Sequence, residues 1–514
     1  MSPDIQNEII QICSEIVTEE IIKKVNIASC FTLLGDETMD VSGTEQFSIC
    51  IRYVDSAKDS QIPIIREDFV GFLPIHDQSA ENLTKIILKR CSELGLDMTK
   101  CVGQGYDGAA TMAGHISGVQ SRIRQQYPNA RYVHCASHRL NLALSNTMSC
   151  SMARNCLGTV NEVANLFRNH PYANKTLQDT ICVQAPESKK RRLLRLCETR
   201  FIERHDSVLT FVELFNSVCV SLEEISKMTR TISSTASALL AAMEKSEFLV
   251  SLLVCEKLFS LTLPLSVLLQ EKSLDLASAL QHAKEVLATL RNLRKNAEKI
   301  FNEIFNSASR LSEEVFKTEV KIPRLTTKQT NRANPQTTSA ENYYRVTVFI
   351  PCLDSLIQNL TDRFISNEDI LPSFQILLPG FLSVHETNKL ENLAPYFDDR
   401  MSLSAVKAEY ELWSEKASTI DANLEVLKVL EYCDPVYFRT IRYLLTVLAT
   451  LPVTTASVER SFSTMKRVKT LPRSVMSDDR LSALAMISVH WDITVEPDKV
   501  IDIMAGKKMR RLLL

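Results

Sequence analysis

Cys30-Phe-Thr-Leu-Leu-Gly-Asp-Glu-Thr-Met-Asp-Val-Ser-Gly-Thr-Glu-Gln-Phe-Ser-Ile-Cys-Ile-Arg-Tyr-Val-Asp55 reads as two strands joined by a turn. Cys30 to Leu34 is a short apolar run without helical period, as in a buried strand. Phe47, Ile49, Ile51 and Tyr53 alternate with Ser48, Cys50, Arg52 and Val54, the period-two signature of a half-buried strand. Val41-Ser-Gly-Thr44 is the turn. Asp36, Glu37 and Asp40 stand where the first apolar run gives out. A carboxylate at a buried strand end is costly unless something pairs with it, and a divalent cation is one such partner. A solvated acidic turn is the plainer alternative.

The flanking sequence extends this core. Ser2-Pro3 is an N-cap followed by proline at the first helical position, and Ile5, Ile9, Ile12 and Ile16 set a helical period to about Val25. Ile62 to Ile75 is a third extended segment. Ser79 to Leu94 is a helix stopped by Gly95. Thr99 to Val102 is a further strand, giving an α/β core. It runs into Gly103-Gln-Gly-Tyr-Asp-Gly108, a G-x-G-x-x-G string. The dinucleotide reading fails, because that fingerprint opens a helix and needs an acid some ~20 residues on. Asp107 is then a second carboxylate just past a buried strand, or a turn residue bonding its own backbone. Tyr132 to Leu144 is a strand turning into a helix. Its Cys135 and His138 are half of a metal site at most, since a structural zinc needs four ligands and no second pair is present. A histidine that orients its neighbours is the favoured reading.

From Met152 to about Tyr432 the pattern is of long helices. Phe248 to Leu269 is the longest apolar stretch, but Glu256 and Lys257 interrupt it, so it reads as a core helix pair and not a membrane span. Lys189, Lys190, Arg191 and Arg192, with Arg200 nearby, form the densest basic run, either a phosphate-contacting or nuclear-import patch or a solvated helix face. Leu280 to Ile304 reads as one long amphipathic helix of a bundle. Lys321 to Glu341 is a linker or surface loop. Near the end, an apolar helix from Leu444 leads through Thr454, Thr455 and Ser457, all plausible N-caps, into a helix with Glu459 in its first turn. Lys466, Arg467, Lys469 and Arg473 follow. Leu481 to Trp491 is apolar enough to close the core or to form a dimer face.

Composition sets limits on function. The chain has 514 residues, 45% hydrophobic and 23% charged, with a net charge of -2, so a nucleic-acid surface has to be a local patch. Only 12 glycines argue for much helix. The 14 cysteines are scattered singly, as suits reduced thiols and not a disulfide framework. The polar, acidic start is not a signal peptide.

Two aspartates at strand ends and a later glutamate on a helix are a set able to hold two Mg²⁺ ions about 3.5–4 Å apart and to act on phosphodiesters. At this point the chain resembles the hAT superfamily of DNA transposases and their host-domesticated relatives, nearest to the zinc-finger MYM-type and repressor-of-the-inhibitor-of-protein-kinase-like subgroup. The matching pieces are Leu34-Gly-Asp-Glu-Thr-Met-Asp-Val-Ser42, Gly105-Tyr-Asp-Gly-Ala-Ala-Thr-Met112, His134-Cys-Ala-Ser-His-Arg-Leu-Asn-Leu142, Thr330-Asn-Arg-Ala-Asn-Pro335, Phe349-Ile-Pro-Cys-Leu-Asp354 and Ala456-Ser-Val-Glu-Arg-Ser-Phe-Ser463.

The resemblance implies an α/β ribonuclease-H-like catalytic core split by a large all-α insertion. Its expected parts are residues 1–150 as the first part of the core, 151–432 as the helical insertion, and 433–514 as the hAT dimerisation region completing the core. Asp36, Asp107 and Glu459 match the DDE triad and would bind Mg²⁺ or Mn²⁺. Cys135 and His138 match a CxxH motif that supports the active site. DNA-binding candidates are Lys189, Lys190, Arg191, Arg192, Arg200, Phe201, Lys466 and Arg467. Phe201 stands where the family has a base-stacking Trp, and the family's N-terminal zinc finger is not in this sequence. Two functions follow. One is metal-dependent DNA strand cleavage and transfer by a homodimer in the nucleus. The other is a domesticated or decayed, catalytically inactive nuclear dimer of repressor type. Neither reading needs a membrane or a small-molecule substrate.

Overall fold

A computed structural model describes residues 2–56, 63–147, 150–196, 201–228, 231–323, 337, 339–365, 370–382, 384–397 and 401–507. The chain forms two compact units. The first combines residues 1–138, 269–280 and 368–514, and the second combines 139–268 and 281–367.

The first unit is built on a five-stranded mixed sheet of order β3-β2-β1-β4-β5. The strands are β1 (Phe31–Met39), β2 (Glu45–Asp55), β3 (Ile64–Ile75), β4 (Cys101–Tyr106) and β5 (Arg131–His134). β1, β2 and β3 form an antiparallel meander, while β4 and β5 add in parallel. Helix α1 (Pro3–Ile27) has Ser2 as its N-cap, accepting from the Ile5 N–H, and Pro3 at its first position. Helix α2 (Ala80–Glu93) is capped by Ser79 and followed by Gly95 at φ +67°.

In the sheet, three expectations change. β1 does not end before Asp36 but runs through it to Met39, because β2 pairs with it as far as Glu45. β4 begins later than Thr99, after a short 3₁₀ turn, and takes in Gly103 and Gly105. β2 is buried on both faces and not on one. Its polar side, Ser48, Cys50 and Arg52, lies under two helices, Arg439–Thr450 and Ala456–Val468. Arg52 is 1% exposed, donates to the carbonyls of Ala449 and Leu274, and pairs with Glu67 at 2.7 Å. A buried charge of this kind is tolerable only when it is fully bonded.

β4 explains the glycine string. A Cβ on Gly103 would lie 2.5 Å from Thr32 Oγ1, and one on Gly105 would lie 2.7 Å from Leu34 and 2.9 Å from Pro452. These glycines let Pro452 rest on the sheet, and the space a dinucleotide phosphate would need is filled by protein.

The Asp478–Val489 helix buries Leu481, Ala485 and Met486 in the core that also holds Val17, Ile21 and Val25 of α1 and Val458 and Phe462. It therefore closes the core, and Trp491 just beyond it is 83% exposed. Residues 368–432 pack in the first unit, where Trp413 Nε1 donates to the Leu377 carbonyl and Tyr410 to that of Ile376.

The second unit is helical. Its central helix, Ser246–Leu268, is a single helix and not a pair. By length and composition it is apolar enough to cross a membrane, and 67% of its most apolar window is buried within the protein. Phe211, Phe215 and Phe248 meet ring to ring beside it. The expected single helix from Leu280 to Ile304 is two, Leu276–Lys295 and Ala297–Phe316, with a break at Asn296. Thirteen described cysteines are free thiols.

Candidate carboxylate site

β1 and β4 run parallel with Leu34 level with Gly105. Asp36 and Asp107, each two residues further on, therefore stand at the same end of adjacent strands. Side chains beyond the carboxyl ends of parallel strands are where α/β sheets place their sites. Asp107 also closes a local turn by accepting the Ala109 N–H at 3.1 Å, and its carbonyl takes the Tyr132 hydroxyl at 2.7 Å.

Glu459 arrives from the other end of the chain. The Ala456–Val468 helix lies across β1, β2 and β3. Its Ser461 hydroxyl bonds that of Ser48 at 2.7 Å, and Ser48 is the direct cross-strand partner of Asp36. Cross-strand partners share a face of the sheet, so this bond sets the helix over the face that carries Asp36; Glu459, two residues before Ser461, lies off the Ser461 side of the helix, within electrostatic reach of Asp36. Two further links fix that helix, and a third ties the β1–β2 turn to the next one. Ser457 donates to Glu67. Lys469, just after the helix, donates to Asp40 at 2.7 Å. Gln46 joins Asp40 at 3.2 Å to Asp478 at 2.7 Å.

Asp36 feels both of the other acids. Burial pushes the Asp36 carboxyl up to about 7, the Glu37 N–H opposes this, and the charges of Asp107, Glu459 and Glu37 push it further. Glu37 is raised as well, by burial and then by Asp107 and Glu45. Asp40 behaves oppositely. Burial would raise it, but the Lys469 ammonium, the Ser42 hydroxyl and the N–H groups of Ser42 and Thr44 together hold it well below the usual carboxylate range. Asp40 is thus a structural ion-pair partner, and Lys469, 4% exposed, is not part of the basic surface that its neighbours suggested.

Cys135 sits between β5 and the next helix, Ala136–Thr147. It accepts the Thr455 N–H and hydroxyl, both at 3.3 Å, while the Ala136 N–H bonds the Val453 carbonyl at 2.8 Å. Thr455 is the N-cap residue of the Glu459 helix but makes no side-chain cap bond, since its hydroxyl is spent on Cys135. Burial pushes the Cys135 thiol up to about 11; the Thr455 hydroxyl opposes that and Glu459 adds to it. The thiol serves as an acceptor for Thr455. The His138 ring lies 5.6 Å from that of His134.

The donor set is all carboxylate oxygen, which suits a hard divalent cation such as Mg²⁺ or Mn²⁺. The three charges acting on Asp36 are all negative, so a cation would relieve them. Among the described residues no group of three His, Cys, Asp or Glu side chains is close enough to serve as a ready-made ligand set. The arrangement is an open cluster of acids in electrostatic reach.

Of the basic candidates, Lys189, Lys190, Arg191 and Arg192 are exposed but lie in an irregular segment after the Pro171–Gln184 helix, not on a helix face. Ser188 and Arg191 shape that segment, Arg191 donating to the carbonyls of Ser188 and Lys190. Lys466 and Arg467 are exposed in the last turn of the Glu459 helix. Arg200, the side chain of Phe201 and the Thr330 to Pro335 motif lie outside the described residues. Sequence reasoning missed Ser48, Glu67 and Ser461. A glutamate inside the apolar third strand was the available signal for Glu67.

Comparison with known proteins adds four matches. Residues 1–118 match the ZMYM1/FAM200, RNase-like domain. Residues 408–493 match the hAT family C-terminal dimerisation region. The chain is 27% identical over 513 residues to the 52 kDa repressor of the inhibitor of the protein kinase of Homo sapiens, covering 97% of this chain and 66% of that protein. For the Mus musculus protein of the same name the identity is 27% over 514 residues, covering 97% and 67%. The chain spans about two thirds of the length of these relatives. The resemblance to hAT proteins and their repressor-like derivatives is borne out by these matches.

Proposed function

We propose that this chain, which carries a hAT C-terminal dimerisation region and an RNase-like domain, is a transposase-derived nuclear dimer that keeps a DDE-type site. The supporting observation is that the parallel register of β1 and β4 sets Asp36 and Asp107 at the same end of adjacent strands, where Asp36 also feels the charge of Glu459 from far along the chain. An antiparallel meander continued by two parallel strands, with later helices returning to cover it, agrees with a split ribonuclease-H-like core.

In this reading Asp36, Asp107 and Glu459 hold Mg²⁺ or Mn²⁺, and DNA is the substrate. When bound, the cation supplies Lewis acidity and an activated water for phosphodiester attack. The chain's own part is positional. Ser461, bonded to Ser48, and Ser457, bonded to Glu67, hold the helix that carries Glu459 against β2 and β3. Cys135 holds the turn that leads into the helix. Lys466 and Arg467, exposed on the same helix, offer phosphate contacts.

A second reading is a catalytically silent, repressor-like nuclear dimer. The printed name of both relatives, a repressor, favours it. Nicking of supercoiled plasmid by the purified chain in Mg²⁺ and in Mn²⁺, beside Glu459→Gln, separates the two. Metal-dependent nicking that disappears in the variant supports the DDE reading. A folded dimer that neither nicks DNA nor binds Mn²⁺ overturns it and leaves the second.

A further inference from the structure

The region matched to hAT dimerisation carries a surface that the carboxylate site does not use. Asp434 accepts the N–H groups of Val436 at 2.9 Å and Tyr437 at 2.8 Å, and its carbonyl accepts the Phe438 N–H at 3.0 Å. Pro435 stiffens the same turn. This closed turn leaves Val436 88% and Tyr437 63% exposed, two apolar side chains held outward on a backbone already bonded to itself. Opposite them, on the Leu403–Ala417 helix, Leu412 is 52% exposed. Leu412, Glu415, Lys416, Asp434, Tyr437 and Phe438 line one shallow cleft.

The floor of that cleft is rigid. Phe438 is buried, with its ring 5.3 Å from that of Trp413 and 4.8 Å from that of Tyr437. The Lys416 ammonium stands 5.5 Å from the Phe438 ring centre. The geometry points to this cleft, Leu412 with the Val436–Tyr437 turn, as the face through which two copies of this chain pair. Three observations select a second copy as the occupant. The patch lies inside the matched dimerisation region, residues 408–493. It places apolar knobs, Val436 and Tyr437, next to a cleft able to receive them, as a two-fold contact between like surfaces requires. It carries both signs of charge side by side, Glu415 and Asp434 around Lys416, so that a two-fold copy sets unlike charges against each other. Preorganised aromatic and apolar groups on a fixed backbone are what the centre of an interface uses.

The inference rests on the dimer reading above, and light scattering of the full chain after size exclusion separates the two. The wild-type chain is expected at twice 58.0 kDa. Leu412→Lys with Val436→Lys is expected at the monomer mass, with an unchanged circular dichroism spectrum and melting midpoint, since both positions are exposed. Val475→Lys, at an exposed apolar position (95%) elsewhere in the region, is expected to stay dimeric. Lys416→Glu should weaken the dimer at least tenfold, and adding Glu415→Lys should restore part of that loss. A dimer that persists in the Leu412/Val436 variant overturns this face and leaves the dimer reading standing. A wild-type chain that is monomeric at every concentration overturns both.

Discussion

Lys469 donates to Asp40 Oδ2 at 2.7 Å with both side chains withdrawn from water, and so pins the end of the Glu459 helix to the β1–β2 turn across 429 residues of sequence. Removing one partner of such a pair strands a buried charge, at a cost of about 3–5 kcal/mol. Lys469→Met should therefore lower the midpoint of urea unfolding, and Asp40→Asn should do so less, because an amide keeps some of the hydrogen bonds. The pair also sets a pH dependence. The Asp40 carboxyl titrates lower in the folded chain than in the unfolded one, so its contribution is full above about pH 4 and is lost as the pH falls further. The acid limb of the stability profile should flatten in Asp40→Asn.

Asp36 works in the reverse sense. Its carboxyl is raised to about 7 by burial, against the Glu37 N–H, and then by the neighbouring acids. The folded chain keeps that proton where the unfolded chain has lost it. Stability should accordingly fall as the pH rises from about 4 to about 7, and level off above. Glu459→Gln removes one of the repelling charges, so it should lower the Asp36 titration and raise the melting midpoint at pH 8. On the proposed reading, Mn²⁺ would compete with the same proton. Its affinity, read by calorimetry or paramagnetic relaxation, should rise through pH 7 and be lost in Asp36→Asn.

Cys135 supplies the acceptor for two Thr455 donors. Cys135→Ala leaves a buried N–H and hydroxyl without that partner, which costs about 1–3 kcal/mol. Cys135→Ser keeps an acceptor and should recover much of the loss. If the thiol matters by holding the turn before Glu459, Mn²⁺ affinity should follow the same order: wild type, then Ser, then Ala.

Gly105→Ala tests the packing of Pro452 on β4. The added methyl would sit 2.7 Å from Leu34 and 2.9 Å from Pro452, closer than real carbon contacts allow. Overpacking of this kind costs about 1–3 kcal/mol. Thermal melts should show that loss for Gly105→Ala but not for Gly158→Ala, where nothing lies within 4 Å.

The sheet was legible from the alternation in β2 and the short apolar run of β1, and α1 because Ser2 and Pro3 mark its start. Asp36, Asp107 and Glu459 were legible as motifs. The register that sets Asp36 level with Asp107 and the bond that lays the Glu459 helix on β2 were not, because neither a parallel pairing nor the Ser48–Ser461 contact has a local signature. Arg52 misled for a related reason. Alternation marks a polar face as solvent-facing, yet helices some 390 residues later cover it, as its bonds to Ala449 show across 397 positions. Lys469 was read with its basic neighbours because burial of one basic residue in four leaves no trace in composition.

The Ser48–Ser461 bond has a consequence for how the protein is made. Ser461 follows Ser48 by 413 residues, so the helix that carries Glu459 cannot settle on β2 until that whole stretch has been translated. A copy cut short within it by a frameshift or an early stop keeps both aspartates but never acquires the glutamate. Synthesis through this helix is thus a condition on covering the polar side of β2, and damaged gene copies that stop before it yield chains in which that side stays open.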